Sequence, residues 1–122
     1  MVTTKQPIGV IGLGLMGTAI TERLLEHGYP VSVWNRSQDK ADPLIHRGAV
    51  WSDNPIVDCE RVIISLYSSD VVAKVIEHMQ MGLRSSQILI DTTTGEPDDC
   101  IAMGKRLATD DVSYTLRMFA SF

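Results

Sequence analysis

Gly12-Leu13-Gly14-Leu15-Met16-Gly17 lies directly between a β-branched run, Ile8-Gly9-Val10-Ile11, and a helical pattern from Leu15 to His27. A strand that passes at once into a helix leaves little room for side chains, and the glycines fall where that geometry is tightest. Gly12 permits the strand-to-helix turn, Gly14 lets the backbone approach a pyrophosphate with no side chain between, and Gly17 allows the helix to lie close on the strand. The N–H groups that open the helix then face phosphate charge. GxGxxG alone is a weak pattern, and the flanking strand and helix make it much more specific. The competing interpretation is a glycine-rich turn that binds nothing.

The rest of the chain repeats the same rhythm. Val31 to Trp34, Ala49 to Trp51, Arg61 to Leu66 and Gln87 to Asp91 read as strands. The Arg61 to Leu66 run is apolar enough for burial on both faces. Helical segments are expected at Asp39 to Arg47, with Pro43 in its first turn, from Ser69-Asp70 onward, and at Pro97 to Ala108. Asn54-Pro55 supplies an N-cap and a first-turn proline. Gly28 and Gly48 are placed to end the first two helices. Short strands alternating with helices indicate an α/β fold with a parallel sheet. No repeat, low-complexity tract or linker divides the chain, so residues 1–122 are expected to form one domain.

Composition narrows the partners. With 11 Lys+Arg against 15 Asp+Glu, a net charge of −4 and no basic cluster, nucleic acid is not an expected partner. Pro7 to Ile20 is apolar and could pass for a signal-peptide core, but four glycines break it, and it is far shorter than the ~20 residues of a membrane span. Cys59 and Cys100 form neither a disulfide framework nor a metal-ligand pair, which suits a reduced, cytoplasmic protein.

The end of the second strand bears on which dinucleotide fits. NAD sites usually carry Asp or Glu there, accepting from the adenosine ribose. Here the residues are Asn35, Arg36 and Ser37, with Lys40 close behind. A neutral Asn35 removes the repulsion of a 2′-phosphate, Arg36 offers a forked charge-assisted contact, and Ser37 adds a hydroxyl. NADP is therefore expected over NAD. The alternative is that Arg36 is an ordinary solvated arginine.

These residues resemble the β-hydroxyacid dehydrogenase family, which includes 3-hydroxyisobutyrate dehydrogenase and the tartronate-semialdehyde and succinic-semialdehyde reductases. Gly12 to Gly17 resembles its GLGxMG signature, Asn35-Arg36-Ser37 the NR[ST] element of NADP-preferring members, and Asp91 to Pro97 (DTTTGEP) the D-x-[ST]-T-x-x-P stretch. The resemblance runs from position 7 to about 114. It implies a Rossmann-type, doubly wound, mostly parallel sheet and an NADP(H) cofactor. It also implies pyrophosphate contacts from Gly12, Leu13, Gly14, Leu15, Met16 and Gly17, and adenosine-phosphate contacts from Asn35, Arg36 and Ser37. Leu66 and Tyr67 would border the nicotinamide, although members often have Leu-Pro there, and Thr94 matches a threonine near the nicotinamide ribose. Read from chemistry alone, Thr92 to Thr94 are either ligand-facing hydroxyls at a strand end or caps for the helix near Pro97.

The family pattern breaks off after Tyr114. A substrate-binding D-A-P-V-S-G-G stretch would follow, then a helical domain bearing a proton-donating lysine; the sequence instead reads Thr115 to Phe122 (TLRMFASF). A truncated, frameshifted or alternatively spliced product is the expectation. Lys5, Lys40, Lys74 and Lys105 are not at the nicotinamide-side strand ends, and His27, His46 and His78 fall in helical segments. No catalytic residue or metal ligand is assigned. Val112, Tyr114, Leu116 and Met118 alternate with polar residues, so the tail is either a sixth, edge strand or an apolar edge promoting self-association. Two functions remain: the cofactor-binding part of a β-hydroxyacid oxidoreductase, not competent alone and needing a supplied domain to take its substrate, or a non-catalytic NADPH-binding sensor or interaction module.

Overall fold

Six strands form one sheet in the order β3-β2-β1-β4-β5-β6 in a computed structural model, which describes residues 5–93 and 97–116. They are β1 (Ile8–Ile11), β2 (Val31–Trp34), β3 (Val50–Trp51), β4 (Arg61–Ile64), β5 (Ile88–Asp91) and β6 (Ser113–Leu116). The helices between them are α1 (Leu15–Glu26), α2 (Asp42–His46), α3 (Pro55–Asp58), α4 (Ser69–His78) and α5 (Pro97–Ala108). All five strand pairings are parallel. From β1 the chain winds outward to β2 and β3, and from β4 it winds the other way to β5 and β6. The direction reverses between β1 and β4, and that is where open α/β sheets bind their ligands.

The core is split by the sheet. Val10, Leu13, Val31, Val33, Ala41, Leu44 and Ala49 form one cluster, on the side of α1 and α2. Ile11, Ile56, Val62, Ile64, Val72, Ile76, Leu89 and Leu107 belong to the other, with α3, α4 and α5. Neighbours such as Val10 and Ile11 fall in opposite clusters because strand side chains alternate. β1 is buried along its whole length. β4 departs from its expected burial on both faces: Val62 and Ile64 are buried, whereas Arg61 and Ile63 are half-exposed.

Local signals placed most element ends. α1 and α2 close through the same pair of bonds around a left-handed glycine: Gly28 N–H to Leu25 O and Tyr29 N–H to Leu24 O, each 3.0 Å, and Gly48 N–H to Ile45 O and Ala49 N–H to Leu44 O, each 3.0 Å. Asn54 caps α3, accepting from Ile56 N–H at 3.1 Å and Val57 N–H at 3.3 Å. The single helix expected over Asp39 to Arg47 is instead a 3-10 turn, Gln38–Ala41, followed by the short α2, with Pro43 in its first turn. The strands expected at Ala49, Gln87 and Leu66 are one or two residues shorter. On α1, Leu24 and Leu25 are partly buried against the first cluster. The most buried residues of the helix are Gly17 and Thr21. Small residues lead because the helix lies so close to the sheet.

Gln87 was not singled out by its sequence, yet it is fully buried and ties three segments together. Its Nε2 donates to Ile56 O at 2.7 Å and Cys59 O at 3.2 Å, and its Oε1 accepts from Arg84 N–H at 2.8 Å. Cys59 beside it is a buried free thiol. Burial pushes that thiol up; nearby Asp58 acts the same way, while a hydrogen bond with Ser32 and the charge of Arg84 oppose it. The folded thiol therefore keeps its proton to higher pH than the unfolded one. Its stabilising effect is complete below the unfolded thiol's value and is lost as pH rises through the folded value. In a Cys100→Ser background, Cys59 should resist a thiol reagent at mildly alkaline pH until the chain is denatured. Rapid stoichiometric labelling under native conditions would contradict this burial.

Candidate functional site

The glycine turn leaves β1 at the point of reversal and packs against the end of β4. Gly12 N–H donates to Trp34 O at 2.8 Å, and Ser65 N–H donates to Ile11 O at 2.8 Å, so β2, β1 and β4 are joined just below the turn. A Cβ at Gly12 would lie 1.9 Å from Ser65 O, and one at Gly17 would lie 1.8 Å from Gly12 O. Both glycines are thus required by the chain's own packing. Gly14 is different. A Cβ there would meet nothing within 4 Å, and its φ of −72° suits any residue. Neither backbone nor packing accounts for a glycine at that position, whereas a group approaching from outside does.

The space in front of the turn is a cleft of about 550 Å³, lined by Gly12 to Met16, Asn35, Arg36, Ser65, Leu66, Tyr67 and Val71. That volume is typical of a cofactor site. Its rim carries exposed apolar surface: Leu15 is 96% exposed and Tyr67 91%. The Leu13 side chain, by contrast, is buried in the core, so this residue offers the cleft only its backbone. The first turn of α1 has no capping side chain and no acidic residue. Its N–H groups, orphaned as in any helix start, open toward the glycine turn and suit an anion.

Three of the expected residues follow β2. Arg36 lines the cleft, is exposed, and has no ion pair or hydrogen bond among the described residues. Ser37 lies beyond it, outside the cleft lining, at the start of the 3-10 turn. Asn35 is not free: its Oδ1 accepts from Leu13 N–H at 2.9 Å, and its Nδ2 donates to Ser37 O at 3.0 Å.

At the other end, Leu66 and Tyr67 follow β4. Leu66 N–H donates to Thr93 Oγ1 at 2.9 Å, and Thr92 Oγ1 donates to Ile64 O at 2.9 Å. Both hydroxyls fasten the end of β4. Thr94 lies outside the described residues. Behind Thr93 sits buried Asp91, whose Oδ1 accepts from Thr93 N–H at 2.8 Å and whose Oδ2 accepts from the Tyr114 hydroxyl. Sequence reading passed over Ser65, Val71 and this Asp91–Tyr114 pair. Ser65 had a signal: a polar residue ending an apolar run at the switch of the sheet. Val71, near the start of α4, belongs to the cleft wall.

Residues 7–115 match the family described as the NAD binding domain of 6-phosphogluconate dehydrogenase. The chain belongs to this family. The resemblance to β-hydroxyacid dehydrogenases carried by the three motifs is borne out with it. This NAD-binding domain is 38% identical over 94 residues to an NADPH-dependent reductive aminase of Aspergillus oryzae, covering 75% of the chain and 32% of that protein. It is 37% identical over 97 residues to a mitochondrial 3-hydroxyisobutyrate dehydrogenase-like protein of Arabidopsis thaliana, covering 74% of the chain and 29% of the relative. A solved imine reductase of Myxococcus stipitatus, in complex with NADP+, superposes with a TM-score of 0.83 at 25% identity, over 88% of this chain and 39% of that one. The NAD-binding domain thus spans about a third of the length of the curated relatives it matches. Among the described residues no helix is long and apolar enough to cross a membrane.

Proposed function

We propose that this chain is a single NADP(H)-binding unit of an oxidoreductase that moves hydride between NADP and a β-hydroxyacid or its semialdehyde. The observation that carries the choice of NADP is the unpaired Arg36 guanidinium at the end of β2, with no carboxylate among the cleft-lining residues. The names of two relatives, one NADPH-dependent and one solved with NADP+, agree with it.

When bound, the dinucleotide supplies the hydride. The chain's part is to hold and orient it. Main-chain groups from Gly12 to Gly17, including the amides of Leu15 and Met16, cradle the pyrophosphate, with Gly14 leaving room for it. Arg36 and Ser37 take the adenosine 2′-phosphate. Leu66 and Tyr67, fixed through Thr93, border the nicotinamide, and Thr94 is assigned to its ribose by the family motif. No carboxylate, histidine or lysine lines the cleft among the described residues, and the Tyr67 side chain there is 91% exposed rather than held in place. Positioned acid–base catalysis contributes about 10²–10⁴-fold. Turnover by this chain alone should accordingly be negligible. The 38% identity to a reductive aminase makes an imine carbon a second class of hydride acceptor to test.

Calorimetric titration tests the cofactor assignment. Wild-type chain should bind NADPH more tightly than NADH. Arg36→Ala should weaken NADPH about 10- to 100-fold, the value of a charge-assisted hydrogen bond, and leave NADH nearly unchanged. Equal loss for both dinucleotides would remove Arg36 from the 2′-phosphate. Vigorous NADPH oxidation with a small semialdehyde would overturn the expectation of negligible turnover.

A further inference from the structure

Asn35 occupies the position at the end of β2 from which a side chain normally reads the adenosine ribose. Both ends of its carboxamide are nevertheless engaged by the chain itself. Oδ1 accepts from Leu13 N–H at 2.9 Å and Nδ2 donates to Ser37 O at 3.0 Å. The two bonds connect the glycine turn, the end of β2 and the loop that carries Arg36. They adjoin the backbone bond from Gly12 N–H to Trp34 O at 2.8 Å. Two consecutive amides of the turn, those of Gly12 and Leu13, are thus fastened to β2, one by main chain and one by side chain.

We propose that Asn35 is a positioning residue. It clamps the glycine turn to the Arg36–Ser37 loop and leaves discrimination between the two dinucleotides to Arg36. The inference rests on the assignment of the cleft to NADP(H) and deepens it. A carboxamide has one oxygen acceptor and two N–H donors. With Oδ1 and one N–H committed, the plane of the group is fixed. The one remaining N–H is a neutral donor, weaker toward phosphate than the charged fork of Arg36. The pyrophosphate cradle is common to NADPH and NADH, so loss of the clamp should affect both alike. An aspartate would keep the acceptor for Leu13 N–H but set a carboxylate oxygen against Ser37 O, so Asn35→Asp separates the two bonds.

The test compares wild type, Asn35→Ala, Asn35→Asp and Arg36→Ala by titration with NADPH and with NADH. Exchange of the Leu13 amide hydrogen in the free chain is followed alongside by NMR. Asn35→Ala should weaken both dinucleotides by a similar factor of about ten, the equivalent of one hydrogen bond, with their affinity ratio unchanged and Leu13 exchange accelerated. Asn35→Asp should restore slow Leu13 exchange and near wild-type NADH affinity while NADPH stays weak. It also serves as the working variant should Asn35→Ala fail to fold. If Asn35→Ala weakens NADPH alone with Leu13 exchange as in wild type, Asn35 reads the phosphate directly and the proposal is overturned; accelerated Leu13 exchange in Asn35→Asp, which keeps the acceptor for that amide, overturns it as well. Fast Leu13 exchange in the wild-type chain also overturns the clamp. A wild-type chain that binds neither dinucleotide overturns the NADP(H) assignment and the division of labour built on it, and slow Leu13 exchange would then identify the cofactor assignment as the part that failed.

Discussion

Gly17→Ala should abolish the folded state, whereas Gly14→Ala should leave the fold intact and remove most dinucleotide binding. At Gly17 the added methyl would stand 1.8 Å from Gly12 O and 2.9 Å from the carbonyl carbon behind it. Those are backbone atoms of the adjoining turn, so no side chain can rotate away. Gly12→Ala meets Ser65 O at 1.9 Å and adds the strain of a φ of +102°. Each contact is far tighter than ordinary overpacking, which already costs about 1–3 kcal/mol. Against a total stability of about 5–15 kcal/mol, either change is expected to exceed what a domain of this size tolerates.

Gly14→Ala faces none of this. It replaces an N-cap glycine by a poorer cap, at about 1 kcal/mol or less, which lowers the melting temperature by less than about 8 °C. Binding should nevertheless fall about 10- to 100-fold, because the methyl occupies the approach of the pyrophosphate. Thermal melting and NADPH titration of the three variants provide the check. Wild-type affinity in Gly14→Ala would mean that the turn is not the pyrophosphate cradle.

Asp91→Ala should lower stability by about 3 kcal/mol or more. Its carboxylate is only 2% exposed and accepts from Thr93 N–H and the Tyr114 hydroxyl. Hydrogen bonds to a charged group contribute about 1.5–3 kcal/mol each, and alanine would leave both donors without this partner. The loss should also be felt at the cleft. Thr93, held by Asp91, accepts from Leu66 N–H, so the residue before Tyr67 depends on a carboxylate behind the sheet. Asp91→Asn keeps an acceptor for Thr93 N–H and gives the tyrosine oxygen a donor to accept from, so it should lose less than half as much. Urea denaturation of the two variants measures the difference. An Asp91→Ala chain within about 1 kcal/mol of wild type would show that the network contributes little.

Period, proline and glycine made much of this protein legible in one dimension. The order of elements, the cap at Asn54-Pro55, the glycine stops after α1 and α2 and the strand–turn–helix around Gly12 to Gly17 all follow from chemistry within a few residues. Arg36 was legible because strand ends in a parallel sheet form a recognised binding edge. β6 was half-legible: alternation suggested it, and the structure places Ser113–Leu116 parallel beside β5, while the bearing of residues 117–122 on self-association lies outside the described residues. The boundaries of α2 and β4 were less legible, because each depends on what covers it.

What the sequence determined by itself was therefore the parts: an alternating α/β chain, a glycine turn with the spacing of a dinucleotide site, and a basic residue at the end of its second strand. Tertiary structure alone decided what those parts do to one another. The bonds from Leu13 to Asn35, Leu66 to Thr93 and Tyr114 to Asp91 cross 22, 27 and 23 residues of sequence. No local pattern specifies such a pair. Each forms only because the strand order β2-β1-β4-β5-β6 brings successive strand ends side by side, about 4.8 Å apart. For the same reason three glycines that look alike in the sequence divide into two required by packing and one that only an incoming group explains.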